Sequence, residues 1–368
     1  MLKAYKFRIY PNETQGELIG KTFGSVRYFW NKQVEIFNSY NKETNPLLTF
    51  PTSTAIRNEL SWMKEVSAAA IQQKAIDFQT FKKQFFSKDR KKALGRAQFK
   101  KKGNHESFRL PYPKFNLNQE IGTIRLEKIG QVKITLDRTI PIDAKFMSVT
   151  VSMNTSKQLF ASVLVEQKIE QLEKTETSIG IDVGIKEFLV QSDGAIVANP
   201  KYFRKNQAKL KRMQRRLNKK KKGSSRRKKA KLKVAKLHQK TANQRDFFLH
   251  NVSTSIVKNY DIIGIEDLNV VGMVKNPKLA KSISDASFSK FKLMLEYKAD
   301  WYGKKVVKVG KFYPSSKTCS SCGAIKQDLT LNDRVYECAC CGLSMDRDHN
   351  AAINIKNEAL RVSNAIRA

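Results

Sequence analysis

SIGIDVGIKEFLVQSDGAIV, residues 178–197, reads as two apolar strands around a tight turn, a hairpin at the edge of a larger sheet. Asp182 stands at the centre of the first strand. A carboxylate within a buried strand is costly unless it is paired or bound to metal. Two further acids stand in comparable surroundings: Glu266 ends an apolar strand in DIIGIEDL (261–268), and Asp348 sits where a helix begins in DRDHNAAINI (346–355). Taken singly, each is explained more readily by a salt bridge or a helix cap. Together, 84 and 82 residues apart and in βα surroundings, they read as one cluster assembled by the fold. Hard carboxylate oxygens suit Mg²⁺ or Mn²⁺, and two such ions activate a water and stabilise the leaving oxygen of a phosphodiester. No His, Ser or Cys near these motifs offers a competing nucleophilic arrangement. His349 adjoins Asp348 as a surface neighbour, and His105, His238 and His250 have no metal-ligand spacing to one another.

Working toward the C-terminus, all five cysteines lie between 319 and 341. Cys319 and Cys322 form one C-x2-C knuckle, and Cys338 and Cys341 a second, with 15 residues between Cys322 and Cys338. Four thiolates in this spacing make a closed tetrahedral Zn²⁺ site of the ribbon type, structural rather than catalytic. Cys340 could replace Cys338 or Cys341, but only Cys338 with Cys341 keeps the two-residue spacing on both sides. Clustering of this kind in an otherwise cysteine-free chain indicates a metal site in a reducing compartment.

Between the first two acids, residues 201–240 contain 20 Lys and Arg and no Asp or Glu. Leu210, Met213, Leu217, Leu232 and Leu237 recur with helical spacing, and Gly223-Ser224-Ser225 breaks the run, so two basic helices joined by a turn are expected rather than a disordered tail. The chain as a whole carries 70 Lys and Arg against 33 Asp and Glu, a formal charge of +37. A polyanionic partner follows. No run of eighteen apolar residues would span a membrane, and MLKAYKFRIYPN has no apolar signal core, which leaves nucleic acid as the partner and the cytoplasm as the expected place.

Toward the N-terminus, LKAYKFRIY (2–10) alternates charged and apolar residues as a half-buried strand, ended by Pro11 and Asn12. Helical periodicity follows to about residue 88, clearest in 67–86 with Ile71, Ala75, Phe78, Phe81 and Phe85, and with a loop at 45–51. From about residue 95 to 168 short strands and polar turns predict a small β-barrel or sandwich, with Gly130 in one hairpin. If the first strand returns to it, the helical stretch is an insertion. A charged linker, EQKIEQLEKTET, precedes the hairpin at 178–197.

GIDVGIKEFLVQSDG, the basic run ending in HQKTANQRDFFLH, GIEDLNV, YPSSKTCSSCG and YECACCGLSMDRDHNAAINI, in that order, resemble TnpB, the nuclease family encoded by a group of bacterial and archaeal insertion sequences, and the nuclease half of type V CRISPR effectors. The resemblance covers the whole chain. It is most specific over 178–356 and rests earlier on KFRIYPN, GSVRYFWN and FKKKGNHESFRL. It implies a multidomain α+β protein. A wedge β-barrel at 1–10 plus 96–170 is interrupted by a helical recognition module at 11–95. An RNase H-like (RuvC) α/β domain follows at 171–368, with basic helices at 201–245 and a zinc ribbon at 314–343. It also implies that Asp182, Glu266 and Asp348 are the catalytic residues and hold divalent ions. The same resemblance implies a guide RNA derived from the end of the element, a double-stranded DNA target opened beside a short flanking motif, and a nucleoid-associated place in the cell. The runners-up are an RNA-guided DNA-binding repressor, against which the complete triad argues, and a transposase or junction resolvase, which would not explain the ribbon and the large basic N-terminal half. Candidate nucleic-acid contacts are Lys219, Lys220, Lys221, Lys222, Arg226 and Arg227 for phosphates, and Gln72 and Gln73 for base edges of the flanking motif. Trp30, Tyr28, Phe99 and Phe108 are candidates for stacking on bases, although such residues at regular spacing are more often core.

Overall fold

The computed structural model describes residues 1–40, 48–87, 95–103, 105–330 and 333–365. The expected loop at 45–51 begins outside the described residues. The chain divides into two compact units, Met1–Lys168 and Ile169–Ala368.

In the first unit, β1 (Leu2–Tyr10) is followed by α1 (Glu13–Asn38), α2 (Ser53–Glu59) and α3 (Ala68–Phe86). Then come β2 (Glu106–Pro111), β3 (Phe115–Asn118), β4 (Thr123–Leu126), β5 (Gly130–Thr135), β6 (Lys145–Met153) and β7 (Leu159–Glu166). Pro11 ends β1, and Asn12 caps α1 in a reciprocal box: its side chain accepts from the Gln15 N–H, while the Gln15 side chain accepts from the Asn12 N–H. The seven strands form one antiparallel sheet in the order β2-β6-β7-β1-β5-β4-β3. β1 therefore lies inside the sheet, between β7 and β5, and α1 to α3 are inserted between β1 and β2. The period-2 face of β1, Tyr5, Phe7 and Ile9, meets Phe108, Val149, Val163 and the α1 residues Ile19, Phe23 and Val26 in one core. The end strands β2 and β3 do not pair with each other among the described residues, so the sheet is curled but not closed by hydrogen bonds as a barrel would be. Helices α1 and α3 pack on β2, which shields part of that edge.

In the second unit, β8 (Ser178–Val183), β9 (Glu187–Gln191) and β10 (Ile196–Ala198) form an antiparallel meander. The expected two-stranded hairpin thus has a third member. Gly194, at φ +88°, turns the chain after Asp193, whose side chain accepts from the Ala195 N–H and starts the return strand. The basic run forms α4 (Tyr202–Asn218) and α5 (Ser225–Asn259), joined at Gly223 (φ +85°), with the Ser224 side chain capping α5. Helix α5 continues past residue 245 to Asn259, because Leu249, Ile256 and Val257 join the core under the sheet and nothing breaks the periodicity. The rest is β11 (Ile262–Glu266), α6 (Val270–Met273), α7 (Ala280–Ala286), α8 (Phe288–Tyr302), β12 (Lys305–Val309), the small hairpin β13 (Val335–Glu337) with β14 (Ser344–Asp346), and α9 (Arg347–Ala365).

The five-stranded sheet has the order β10-β9-β8-β11-β12, with β8, β11 and β12 parallel. Ile179, Ile181, Ile263 and Ile265 face one side and pack with α5 and α8 residues such as Leu249, Phe291 and Leu295. Alternate residues face α9. There Gly264 pairs in register with Gly180, and the two form a flat shelf. A Cβ on Gly180 would sit 2.0 Å from the Ala352 carbonyl oxygen and 2.4 Å from the Lys356 nitrogen. One on Gly264 would meet the Ala359 Cβ at 2.7 Å.

Gly180→Ala must push the α9 backbone away from the sheet. We expect a loss of about 3 kcal/mol or more in the stability of this unit, measured by denaturant unfolding. Gly20→Ala, in the interior of α1 with open space around it, should instead stabilise the first unit by about 1 kcal/mol.

Candidate functional site

Asp182 lies near the end of β8, on the face two residues from Gly180 that looks toward α9. Glu266 is the last residue of β11 and stands in the same relation to Gly264. The parallel register pairs Ile265 with Ile181, so one residue further Glu266 falls beside Asp182. Asp348 is in the first turn of α9, the helix seated on the two glycines. Three acids from distant parts of the chain therefore meet at the carboxyl ends of two adjacent parallel strands. All three are half-buried.

The electrostatics reflect that meeting. Burial, then the charges of Glu266 and Asp348, push the Asp182 carboxyl up to about 7, with Arg347 partly offsetting them. Arg347 Nη2 lies 3.3 Å from Asp348 Oδ1. Ser315 Oγ donates to Glu266 Oε1. Asp182 has no ion-pair partner among the described residues. The neighbouring Asp346 serves the helix instead. Its Oδ1 accepts from the backbone N–H of Asp348 at 2.9 Å and of His349 at 3.0 Å, an N-cap for α9. His349 Nε2 lies 3.3 Å from the Ser192 carbonyl oxygen, in the turn between β9 and β10. Three half-buried carboxylates, one pushed up first by burial and then by the other two, are hard oxygen donors of the kind a divalent cation takes.

The cysteines form a second cluster. The Sγ atoms of Cys319, Cys322, Cys338 and Cys341 all lie within 4.8 Å of one another. Cys319 to Cys341 and Cys322 to Cys338 are each 3.6 Å, close to the edge of about 3.8 Å expected of a tetrahedron with zinc–sulfur bonds of about 2.3 Å. Backbone N–H groups of Cys341 and Cys340 face the Cys338 sulfur and lower its pKa, as suits a thiolate ligand. Cys340 is exposed and lies outside the cluster. The four-cysteine set therefore fits zinc.

The expected nucleic-acid contacts divide. Lys219, Lys221, Lys222 and Arg226 are exposed at the tip between α4 and α5, and Lys220 is half-buried there. Arg227 is engaged: its Nη1 donates to the carbonyls of Leu217 at 2.9 Å and Lys220 at 2.8 Å, closing the end of α4. On α3, Gln72 is exposed and Gln73 half-buried. Phe108 is only 1% exposed, inside the first unit's core, and does not stack on bases. Trp30 donates to the Gln98 carbonyl and lies edge-on to Phe78, with Lys100 over its ring, so it packs within its own unit. Tyr28 and Phe99 are exposed. Sequence reasoning missed Ser315, Asn350 and Asn354. The available signal was a pair of asparagines four apart on an otherwise apolar helix face.

The chain is similar to several known proteins. The family described as "Probable transposase" (OrfB_IS605) matches residues 161–277, and the Cas12f1-like TNB domain matches 288–355. A helix-turn-helix family matches 1–45, a segment that here holds a strand and one long helix over its described residues. A protein of Streptomyces pristinaespiralis named "Putative RNA-guided DNA endonuclease" is 36% identical, over 98% of this chain and 90% of its own. An Escherichia coli K12 protein, "Putative RNA-guided DNA endonuclease InsQ", is 30% identical, over 96% and 91%. A chain of the "Cryo-EM structure of the Cas12f1-sgRNA-target DNA complex" is similar with a TM-score of 0.56 at 14% identity, covering 97% of this chain and 99% of that one, a likeness of fold. No helix among the described residues is long and apolar enough to cross a membrane.

Two measurements follow from this geometry. Elemental analysis should find one zinc per chain, lost in Cys319→Ser and retained in Cys340→Ser; the reverse pattern would overturn the ligand set. Without divalent ions, the folded state keeps the Asp182 proton between about pH 4 and 7, while the unfolded chain releases it near its ordinary value of 3.8. Metal-free stability therefore falls as pH rises through that window, by up to about 4 kcal/mol. Asp182→Asn should unfold at higher denaturant than wild type at pH 8, with the difference narrowing toward pH 4.

Proposed function

This chain belongs to the TnpB family of IS605-type insertion sequences, and from that premise we propose that it is an RNA-guided DNA endonuclease. The observation that carries the reading is the convergence of Asp182, Glu266 and Asp348 at the carboxyl ends of β8 and β11. These three residues would hold the divalent ions, and such ions would supply an activated water and charge stabilisation at the leaving oxygen of a phosphodiester. The second unit acts as the RuvC-like nuclease domain with residues 314–343 as its ribbon. The first acts as wedge and recognition module.

Each side chain has a distinct part. Asp182, whose carboxyl burial and then the charges of Glu266 and Asp348 push up to about 7, would hold a metal ion in its ionised form. Asp348 is held at the start of α9 beside Arg347, and Asp346 caps that helix instead of binding metal. Sequence choice comes from base pairing with a guide RNA transcribed from the end of the element, and the exposed Lys219, Lys221, Lys222 and Arg226 contact phosphates without reading bases. Gln72 on the exposed face of α3, with Gln73 beside it, reads the short flanking motif.

With its element-derived RNA and Mg²⁺ or Mn²⁺, the protein should cut duplex DNA that matches the guide beside that motif. Asp182→Ala and Glu266→Ala should each reduce cutting at least about 100-fold while target binding stays near wild type. EDTA should have the same effect. Asp348→Asn should behave alike, and Asp346→Asn should retain most cleavage. Wild type that binds its target and cuts nothing would make this a repressor, and cutting without RNA would make it a resolvase-like enzyme.

A further inference from the structure

Three of the buried polar side chains of the second unit lie in one place: Asn350 at 0% exposed, Asn354 at 3% and Ser315 at 4%. Buried amides and hydroxyls persist only when their hydrogen bonds are made, and here they are made to one short loop. Asn354 Nδ2 donates to the carbonyls of Ser315 at 2.8 Å and Thr318 at 2.6 Å. Asn350 Nδ2 donates to the Thr318 carbonyl at 2.7 Å, and Asn350 Oδ1 accepts from the Ser320 N–H at 2.9 Å. The loop is also tied internally, since Lys317 N, Thr318 N and Thr318 Oγ1 all donate to the Pro314 carbonyl. Its outward hydroxyl, Ser315 Oγ, donates to Glu266 Oε1.

Glu266 is half-buried, and as a glutamate at a strand end it has three rotatable side-chain bonds. A donor fixed to a rigid mount selects one orientation and leaves the second oxygen open. We propose that Ser315 is a positioning residue for Glu266, mounted by Asn350 and Asn354 on the helix that carries Asp348. The proposal rests on the reading of Glu266 as a metal ligand. One helix then sets two of the three carboxylates: Asp348 directly, and Glu266 through the loop that leads into the first cysteine knuckle.

The test is Mn²⁺ binding by the full-length protein with its RNA and without DNA, followed by calorimetry or by loss of the free-ion electron paramagnetic resonance signal. Ser315→Ala should weaken Mn²⁺ binding about 10- to 100-fold. Its Mn²⁺ requirement for cleavage should rise by the same factor, with target-DNA affinity unchanged and the rate recovering at saturating metal. Ser315→Thr keeps the hydroxyl and should bind Mn²⁺ as wild type does. If Ser315→Ala unfolds, Asn354→Ala supplies the test: its amide touches the loop and not Glu266, yet it should also weaken Mn²⁺ binding at least tenfold. A folded Ser315→Ala or Asn354→Ala with wild-type Mn²⁺ affinity overturns the proposal. Wild type that binds Mn²⁺ through Asp182 and cuts nothing sinks the nuclease reading alone, because the role of Ser315 is still read from affinity. Mn²⁺ affinity unaffected by Asp182→Ala overturns both.

Discussion

Helix α9 lies on β8 and β11 at backbone contact distance because Gly180 and Gly264, paired in register, present no side chain to it. Everything at the carboxylate cluster depends on that approach. A Cβ at Gly180 would overlap the Ala352 carbonyl, so any larger residue must lift the helix or tilt it. The same alternation that turns the glycines toward α9 turns Asp182 and Glu266 toward it two residues later. The shelf and the acids are thus one device: the strand residue that lets the helix close is followed, on the same face, by the residue that meets the helix's first turn.

Burying Asp182, and then setting it beside Glu266 and Asp348, carries a cost visible in the upward shift of its carboxyl. The fold carries this cost with a core on the opposite face of the sheet, where Ile179, Ile181, Ile263 and Ile265 pack on α5 and α8. Protonation or a bound cation would relieve the repulsion. Structural duties are kept apart from the cluster's own: Asp346 caps α9, Arg227 closes the end of α4, and Asp261 pairs with the buried Lys304.

The cysteine cluster is more than a remote staple. Its closed set of four thiols leaves no open position for chemistry. Yet Cys319 lies between Thr318 and Ser320, whose backbone groups bond to Asn350 and Asn354. The loop that enters the first cysteine knuckle is therefore also the loop that touches Glu266.

Properties that reside in neighbouring residues were legible from sequence. The apolar surroundings of Asp182, Glu266 and Asp348 marked them as unusual, the paired knuckles singled out the same four cysteines that cluster, and the helical spacing of Leu210 and Leu237 within the basic run matches α4 and α5. What the tertiary structure alone decided concerns which faces meet across long stretches of chain. Gly180 and Gly264 look like ordinary strand glycines until α9, more than 80 residues beyond the second, is laid on them. Ser315 and Asn354 acquire meaning only from each other and from Glu266. Phe108 reads more readily as core than as a stacking residue, but only the curled sheet around it decides. The physical reason is that charge, spacing and periodicity are properties of the local chain, whereas close approach and hydrogen-bond partnership are settled only when distant elements pack.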